Sequence, residues 1–372
     1  MSASPAHPGR QHLDPATAEW LEEAAHGLDT GTEPPAAILP ALAQGGLTRV
    51  GIPQSIGGTG GDLTDAVTAI AEVSSLSLAA GFVLWGHRTY TEYLLQSDNV
   101  GLRERLLPEL VAGRIAGATG LSNAMKFLAG LEELQITARA EEADLVLDGK
   151  LPWVTNLRPE GFHVAAAVSH ENGSALIVSL PSNAPGVARS PDLDLFALRA
   201  SNTAAITISN TRLTADDVIS NEAHAWLKQV RPAFLGMQCG MSIGLARRAL
   251  HEASAAAGAG RHVLAHPIAE LTASLAVEER ALFEGLKNHR FLADPASLFR
   301  IRIVLAEITE AAVGLELQAS GGRAYLAGPG KSFARRWREA AFIPVVTPSL
   351  VQLKTALAAA KTSAPAIESA LA

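Results

Sequence analysis

The sequence of 372 residues predicts an α+β fold in three parts: an N-terminal helical part over residues 1–116, a middle β-sheet or barrel over 117–222, and a C-terminal four-helix bundle over 223–372. Three observations carry this reading. Apolar residues recur three and four positions apart up to about Gly117, alternation and turn signals replace that period up to Asn221, and alanine-rich helical periodicity returns from Glu222. With 48% hydrophobic and 18% charged residues, the chain has core material for two or three packed domains.

In the first part, Val67, Ile70, Ala71 and Val73 fall on one helical face. The stretch GIPQSIGGTGGDL over 51–63 breaks that pattern with five glycines and one proline. Such a loop takes backbone angles that side chains resist, and a helix opens after it near Thr64. ELVAGR, residues 109–114, ends the last helix of this part at Gly113.

In the second part, LVLDGK at 145–150 reads as a strand ending in an Asp148-Gly149 turn. HVAAAVSHENGSALIVSLP at 163–181 reads as two strands joined through Asn172-Gly173, and AITISNTRL at 205–213 alternates as a strand buried on one face does. The third part opens with AFLGMQCGMSIGLARRALHEASAAA, where Gly236, Gly240 and Gly244 admit a close neighbouring helix. Helices follow at about 267–290 and 296–319, then the loop SGGRAYLAGPGK at 320–331. Helical bundles of this kind hold cofactors between facing elements.

Bulk charge limits the partners. A net charge of -7 and a pI near 5.9 oppose binding to nucleic acid or anionic lipid, and the grouping Arg335, Arg336, Arg338 is suited to a single phosphate or carboxylate. Cys239 is the only cysteine, which excludes an intrachain disulfide and a cysteine zinc site and favours a reducing compartment. The first twenty residues lack the apolar core of a secretory signal, and no apolar run reaches the roughly 18 residues of a membrane span. A cytoplasmic protein without membrane or nucleic-acid partners is expected.

Common chemical signatures are missing: no Walker-type loop, no G-x-G-x-x-G between strand and helix, and no G-x-S-x-G. GGTGG at 57–61 follows no strand and reads as a turn. Gly321 and Gly322 end a helix, where glycine caps at least as often as it admits a phosphate. No histidine, His87, His163, His170, His251, His262 and His266 included, has the i, i+4 pairing with an acid expected of a helix metal site, so no metal is expected. Trp153 and Thr155 in LPWVTN follow the Asp148-Gly149 turn, and taken alone such a tryptophan reads as core packing.

In order, these segments resemble the acyl-CoA dehydrogenase superfamily over nearly the whole chain. GIPQSIGGTGG is similar to the family's GxPxxxGGxGG, LDGKLPWVTN to lnGxKxWiTN, ALRASNTAAITISNTRL to gmRaSxtxxvxf, and QASGGRAYLAGPGKSFARRWREA to QxxGGxGYxxxxxxxRxxRDa. His87 with LLPELVAGRIAG, and RPAFLGMQCGMSIGLARRAL from Arg231, fit two further family segments. The resemblance implies FAD bound at a subunit interface of a homodimer or homotetramer. It implies that Trp153 and Thr155 lie beside the isoalloxazine ring, that Leu121 and Ser122 meet its pyrimidine side, that Arg261 reaches a phosphate from the partner subunit, and that Gln318, Gly321 and Gly322 approach the adenosine half. A small-molecule substrate such as an acyl-CoA, and an electron acceptor or flavin reductase as partner, are implied with it.

The chain also departs from the family. SNAMKFLAGLE replaces the usual TEPxAGSD, and the phenylalanine and glycine that follow the family arginine are missing after Arg261. Aligning RDaRvxxIYEGT on REAAFIPVVTPS puts Thr347 where the catalytic glutamate belongs, and the family's other glutamate position, before Arg231, holds Val230. Removing the α proton of a thioester while hydride leaves the β carbon for flavin N5 needs a carboxylate, which a threonine hydroxyl does not replace. Three functions follow: a dehydrogenase with a relocated acid such as Glu222, Glu92 or Glu339; a flavin monooxygenase on the same fold, which needs no such base; or a non-catalytic flavin or acyl-CoA binding homologue.

Overall fold

The computed structural model describes residues 11–128, 130, 132–256 and 261–363. Five helices come first: α1 (Pro15–Thr30), α2 (Ile38–Gln44), α3 (Leu63–Leu76), α4 (Leu78–Leu95) and α5 (Val100–Val111). Polar caps set their starts. Asp14 accepts from the amides of Ala16 and Thr17, Asp62 and Asp65 form a capping box on α3, Ser77 caps α4, and Asn99 caps α5. The glycine-rich loop before α3 folds back on itself: the Gly60 amide donates to the Ile52 carbonyl at 2.9 Å, and a Cβ at Gly58 would lie 2.0 Å from that oxygen. The loop is a turn held by its own backbone.

The strands are β1 (Ala116–Thr119), β2 (Ile136–Glu141), β3 (Asp144–Val154), β4 (Phe162–His170), β5 (Ala175–Pro181), β6 (Val187–Arg189), β7 (Ala204–Leu213) and β8 (Val218–Ser220). They form one eight-stranded sheet in the order β6-β7-β3-β2-β4-β5-β8, with β1 parallel to β4. The hairpin through Asn172-Gly173 joins β4 to β5 as expected. The turn expected at Asp148-Gly149 is instead an irregularity inside β3, which runs on to Val154. Gly149 is needed because a Cβ there would lie 2.4 Å from the Gln135 carbonyl of the adjoining strand, and the Asp148 carboxylate accepts the Asn210 amide at 2.8 Å. A short helix, α6 (Ser122–Leu128), interrupts the region read from sequence as strands.

The C-terminal helices are α7 (Ala223–Ala255), α8 (Ala265–Lys287), α9 (Arg290–Ala293), α10 (Pro295–Ser320), α11 (Lys331–Phe342) and α12 (Leu350–Ser363). The glycines of α7 do what their spacing predicts. A Cβ at Gly240 would lie 2.8 Å from the Val67 carbonyl and one at Gly244 2.1 Å from the Ala71 carbonyl, so α3 lies directly on α7, while Gly236 receives Leu286 of α8. The helices before and after the sheet thus share one apolar core. Helix α4, buried along most of its length, lies between α7 and the sheet.

No helix among the described residues is long and apolar enough to cross a membrane. Cys239 is buried and unpaired, and burial pushes its thiol up to about 12.

Candidate functional site

A cavity of about 630 Å³ opens where α4, α7, the start of α6, the end of β3, the β6–β7 connection and the segment joining α11 to α12 meet. Ser122, Trp153, Thr155 and Thr347, separated by up to 225 residues in sequence, all line it. Its inner wall is aromatic, with Phe82 and Trp85 stacked at 5.6 Å, Phe342 edge-on to Phe82 at 4.7 Å, and Phe234 tilted against Trp85 at 5.3 Å.

Trp153 is not packed in the core: it is 61% exposed at this cavity, which replaces the core reading of that tryptophan. Next to it, Thr155 is buried, and its hydroxyl donates to the Ser201 carbonyl at 3.1 Å. The turn after β3 is held by Asn156, whose side chain donates to the Gly117 carbonyl at 2.9 Å from a left-handed backbone. Gly86 of α4 lets the helix close over this turn, since a Cβ there would lie 3.0 Å from Thr155 Cγ2.

The end of β1 contributes Thr119 and Gly120, two lining residues that sequence reasoning missed. The Thr119 hydroxyl is hydrogen-bonded to Tyr93 at 3.0 Å, and burial pushes the Tyr93 phenol up, so the phenol stays protonated. Leu121 and Ser122 lie beyond the strand. Leu121 is buried in the core and does not line the cavity, whereas Ser122 does.

Thr347 is carried on a segment fixed from behind. Buried Arg302 donates through Nε to the Gln238 amide oxygen at 2.9 Å and through Nη2 to the Ile343 carbonyl at 2.6 Å. Gln238 in turn donates to the Thr347 carbonyl at 2.9 Å. Desolvation lowers the Arg302 guanidinium from its ordinary value. The backbone carbonyls are thereby tied to the bundle at a point where Thr347 lines the cavity.

None of the proposed relocated acids reaches this place. Glu222 is an exposed residue at the start of α7, and Glu92 pairs with Arg88 at 2.8 Å beside a different cavity. Glu339 is buried, accepting from Arg335 at 2.8 Å and from the Leu78 amide at 3.0 Å. Among the described residues, the carboxylate lining the cavity is Glu132, bound to Lys126 at 2.6 Å, and that hydrogen bond holds it below the usual carboxylate range.

The arginine grouping is not an anion site. Arg335 pairs with Glu339, Arg336 with Glu316, and Arg338, which lines the cavity, with buried Asp29. Each charge is already balanced inside the fold. His266 does contact an acid four residues on, Glu270, at 3.2 Å, contrary to the reading of the histidines, but both are exposed. No group of three or more potential metal ligands occurs among the described residues.

Gln318, Gly321 and Gly322 lie outside the cavity, at the C-terminal end of α10. Gln318 and Gly322 are exposed there, and a Cβ at Gly322 would meet nothing within 4 Å. Arg261 begins a 3₁₀ turn before α8, and its side chain lies outside the described part of the structure.

Residues 10–114 match the family described as "Acyl-CoA dehydrogenase, N-terminal domain". The chain is 28% identical over 277 residues, 70% of each sequence, to a probable acyl-CoA dehydrogenase of Bacillus subtilis (strain 168). Two further curated relatives are matched over 63% and 64% of their own length, just under two thirds. Among solved structures, butyryl-CoA dehydrogenase from Megasphaera elsdenii superposes with a TM-score of 0.79 at 17% identity, covering 93% of this chain and 95% of that one. Dibenzothiophene monooxygenase from Paenibacillus sp. A11-2 superposes at 0.74 and 18% identity, covering 92% and 94%. At these identities the superpositions establish the fold.

Proposed function

Because the chain belongs to the acyl-CoA dehydrogenase superfamily, we propose that it is an FAD-dependent oxidoreductase whose reaction is monooxygenation of a small molecule. The observation that carries this is the site of the missing base. Thr347 lines the cavity, and the described carboxylate there is a solvent-exposed partner of Lys126. Among the described residues, no unpaired carboxylate lines the cavity to take an α proton from a thioester.

The residues present fit a flavin ring. Trp153 leaves its indole uncovered beside the cavity, Gly120 presents bare backbone, and Thr119, Ser122 and Thr155 are hydroxyl-bearing residues of its lining. The Thr155 hydrogen is directed to Ser201, so this hydroxyl acts toward a ligand as an acceptor. Gln318, Gly321, Gly322 and Arg261 would serve the adenosine and phosphate half of the cofactor at an interface with a second copy. When bound and reduced by a separate reductase, FAD supplies two electrons for inserting one atom of O₂ into substrate while the other leaves as water. The chain's own residues bind and orient the substrate, and the aromatic wall excludes water from it.

The dehydrogenase reading is the second one, favoured by the names of the curated relatives. One experiment separates the two. Purified protein is expected to be yellow, its flavin unchanged on anaerobic mixing with short, medium and branched acyl-CoA thioesters. Bleaching by any of them would establish the dehydrogenase, and a colourless protein that takes up no FAD would sink both.

A further inference from the structure

We propose that this cavity takes an uncharged molecule with an aromatic ring and a hydroxyl or carbonyl group in preference to one that places a carboxylate or phosphate inside it. The inference deepens the reading above and depends on it only for what happens after binding.

The first observation is the wall. Phe82, Trp85, Phe234 and Phe342 come from three helices and lie edge to face or stacked within 4.7–5.6 Å of one another. Trp85 donates its indole N–H to the Phe234 carbonyl at 3.3 Å, so its polar atom is satisfied inside the protein and what it adds to the lining is apolar. A flat ring meets such a surface by the same stacked and edge-on geometries.

The second observation is charge. The cations lining the cavity are Lys126 and Arg338, and each is held by a carboxylate, Glu132 at 2.6 Å and buried Asp29 respectively. Asp29 is also committed to the fold, since its carboxylate accepts the Leu198 amide at 3.1 Å in the loop that lines the cavity. A carboxylate or phosphate placed inside the cavity would meet cations that already have partners, and drawing Arg338 away would leave buried Asp29 without its counter-ion. The net charge of -7 opposes a polyanion further.

The third observation is the polar supply. Gln135 and Thr347, which the flavin reading does not use, line the cavity with side chains that make no hydrogen bond among the described residues. They are neutral donors and acceptors, matched to a hydroxyl or carbonyl.

Calorimetric titration tests this on flavin-loaded protein and on the same protein stripped of flavin. The probes are 2-naphthol and 2-naphthoate. Saturable binding of 2-naphthol at least roughly tenfold tighter than 2-naphthoate is expected. Phe234→Ala should weaken it by a similar factor, and Phe342→Leu, at a half-buried position, serves if the first variant fails to fold. No saturable naphthol binding, or 2-naphthoate binding as tightly, would overturn the inference. Failure to take up FAD refutes the proposed function and leaves the probe comparison intact, because both protein forms are titrated.

Discussion

Thr347 lines the cavity because two residues behind it hold its backbone, and neither touches the cavity itself. Arg302 and Gln238 form a chain from α10 through α7 to the carbonyls of Ile343 and Thr347. Arg302→Met leaves two buried acceptors without a donor and is expected to destabilise the fold by about 2–4 kcal/mol, measured by denaturant unfolding. Trp153→Ala should behave in the opposite way: its exposed ring adds little to the fold, so stability should change by no more than about 0.5 kcal/mol, while FAD affinity falls roughly tenfold in equilibrium dialysis. An unchanged affinity would remove Trp153 from the flavin site.

Two histidines give the fold a pH dependence. His87 bridges the Leu110 carbonyl at 2.9 Å and the Gly117 amide at 3.1 Å, and His163 lies 3.0 Å from Ser179 in a buried chain that includes Tyr90. Burial pushes both from 6.5 down to about 4. The unfolded chain therefore binds protons that the folded one does not, so stability is complete above about pH 6.5 and is lost as pH falls toward 4. A lower melting temperature at pH 5 than at pH 7, with a smaller difference in His163→Asn, is the expected result.

At the scale of elements, glycine placement was readable from sequence where it follows helical spacing. Gly236, Gly240 and Gly244 on α7 predict close helix packing, and each meets a neighbour too near for a side chain. Gly244→Ala is expected to cost about 1–3 kcal/mol, against no measurable change for Gly322→Ala, where a Cβ meets open space. Denaturant midpoints of the two variants check this. Gly149 was misread as a turn because Asp-Gly has the same local signature in a hairpin and in a strand irregularity. The strand that lies against it, β2, decides between them, and local sequence does not contain that information.

For the whole molecule, exposed apolar side chains concentrate after α10: Tyr325 is 91%, Leu326 57% and Trp337 51% exposed. Side chains of this size are normally covered, and the expectation is a homodimer or homotetramer whose interface includes them. Sedimentation velocity should find the oligomer, and Trp337→Glu should shift it toward monomer with loss of bound flavin. A monomer that holds flavin would refute the interface.

What the sequence determined by itself is the order of helical, β and helical parts; resemblance to family motifs singled out Ser122, Trp153, Thr155 and Thr347, four residues that line one cavity. These are legible because periodicity, turn chemistry and short motifs are properties of neighbouring residues. Only the tertiary structure decided that Phe82, Trp85, Phe234 and Phe342 form one wall, that Arg335, Arg336 and Arg338 are each neutralised, and that Glu92, Glu222 and Glu339 lie away from the cavity. On α4 the pair Phe82 and Trp85, three positions apart, has the spacing of ordinary core residues, and nothing local distinguishes a ring that faces a cavity from one that faces a neighbour. Which side chains share a cavity, and which charges find partners, depends on contacts between elements up to hundreds of residues apart, and those exist only once α3, α4 and α7 have packed against one another and the sheet.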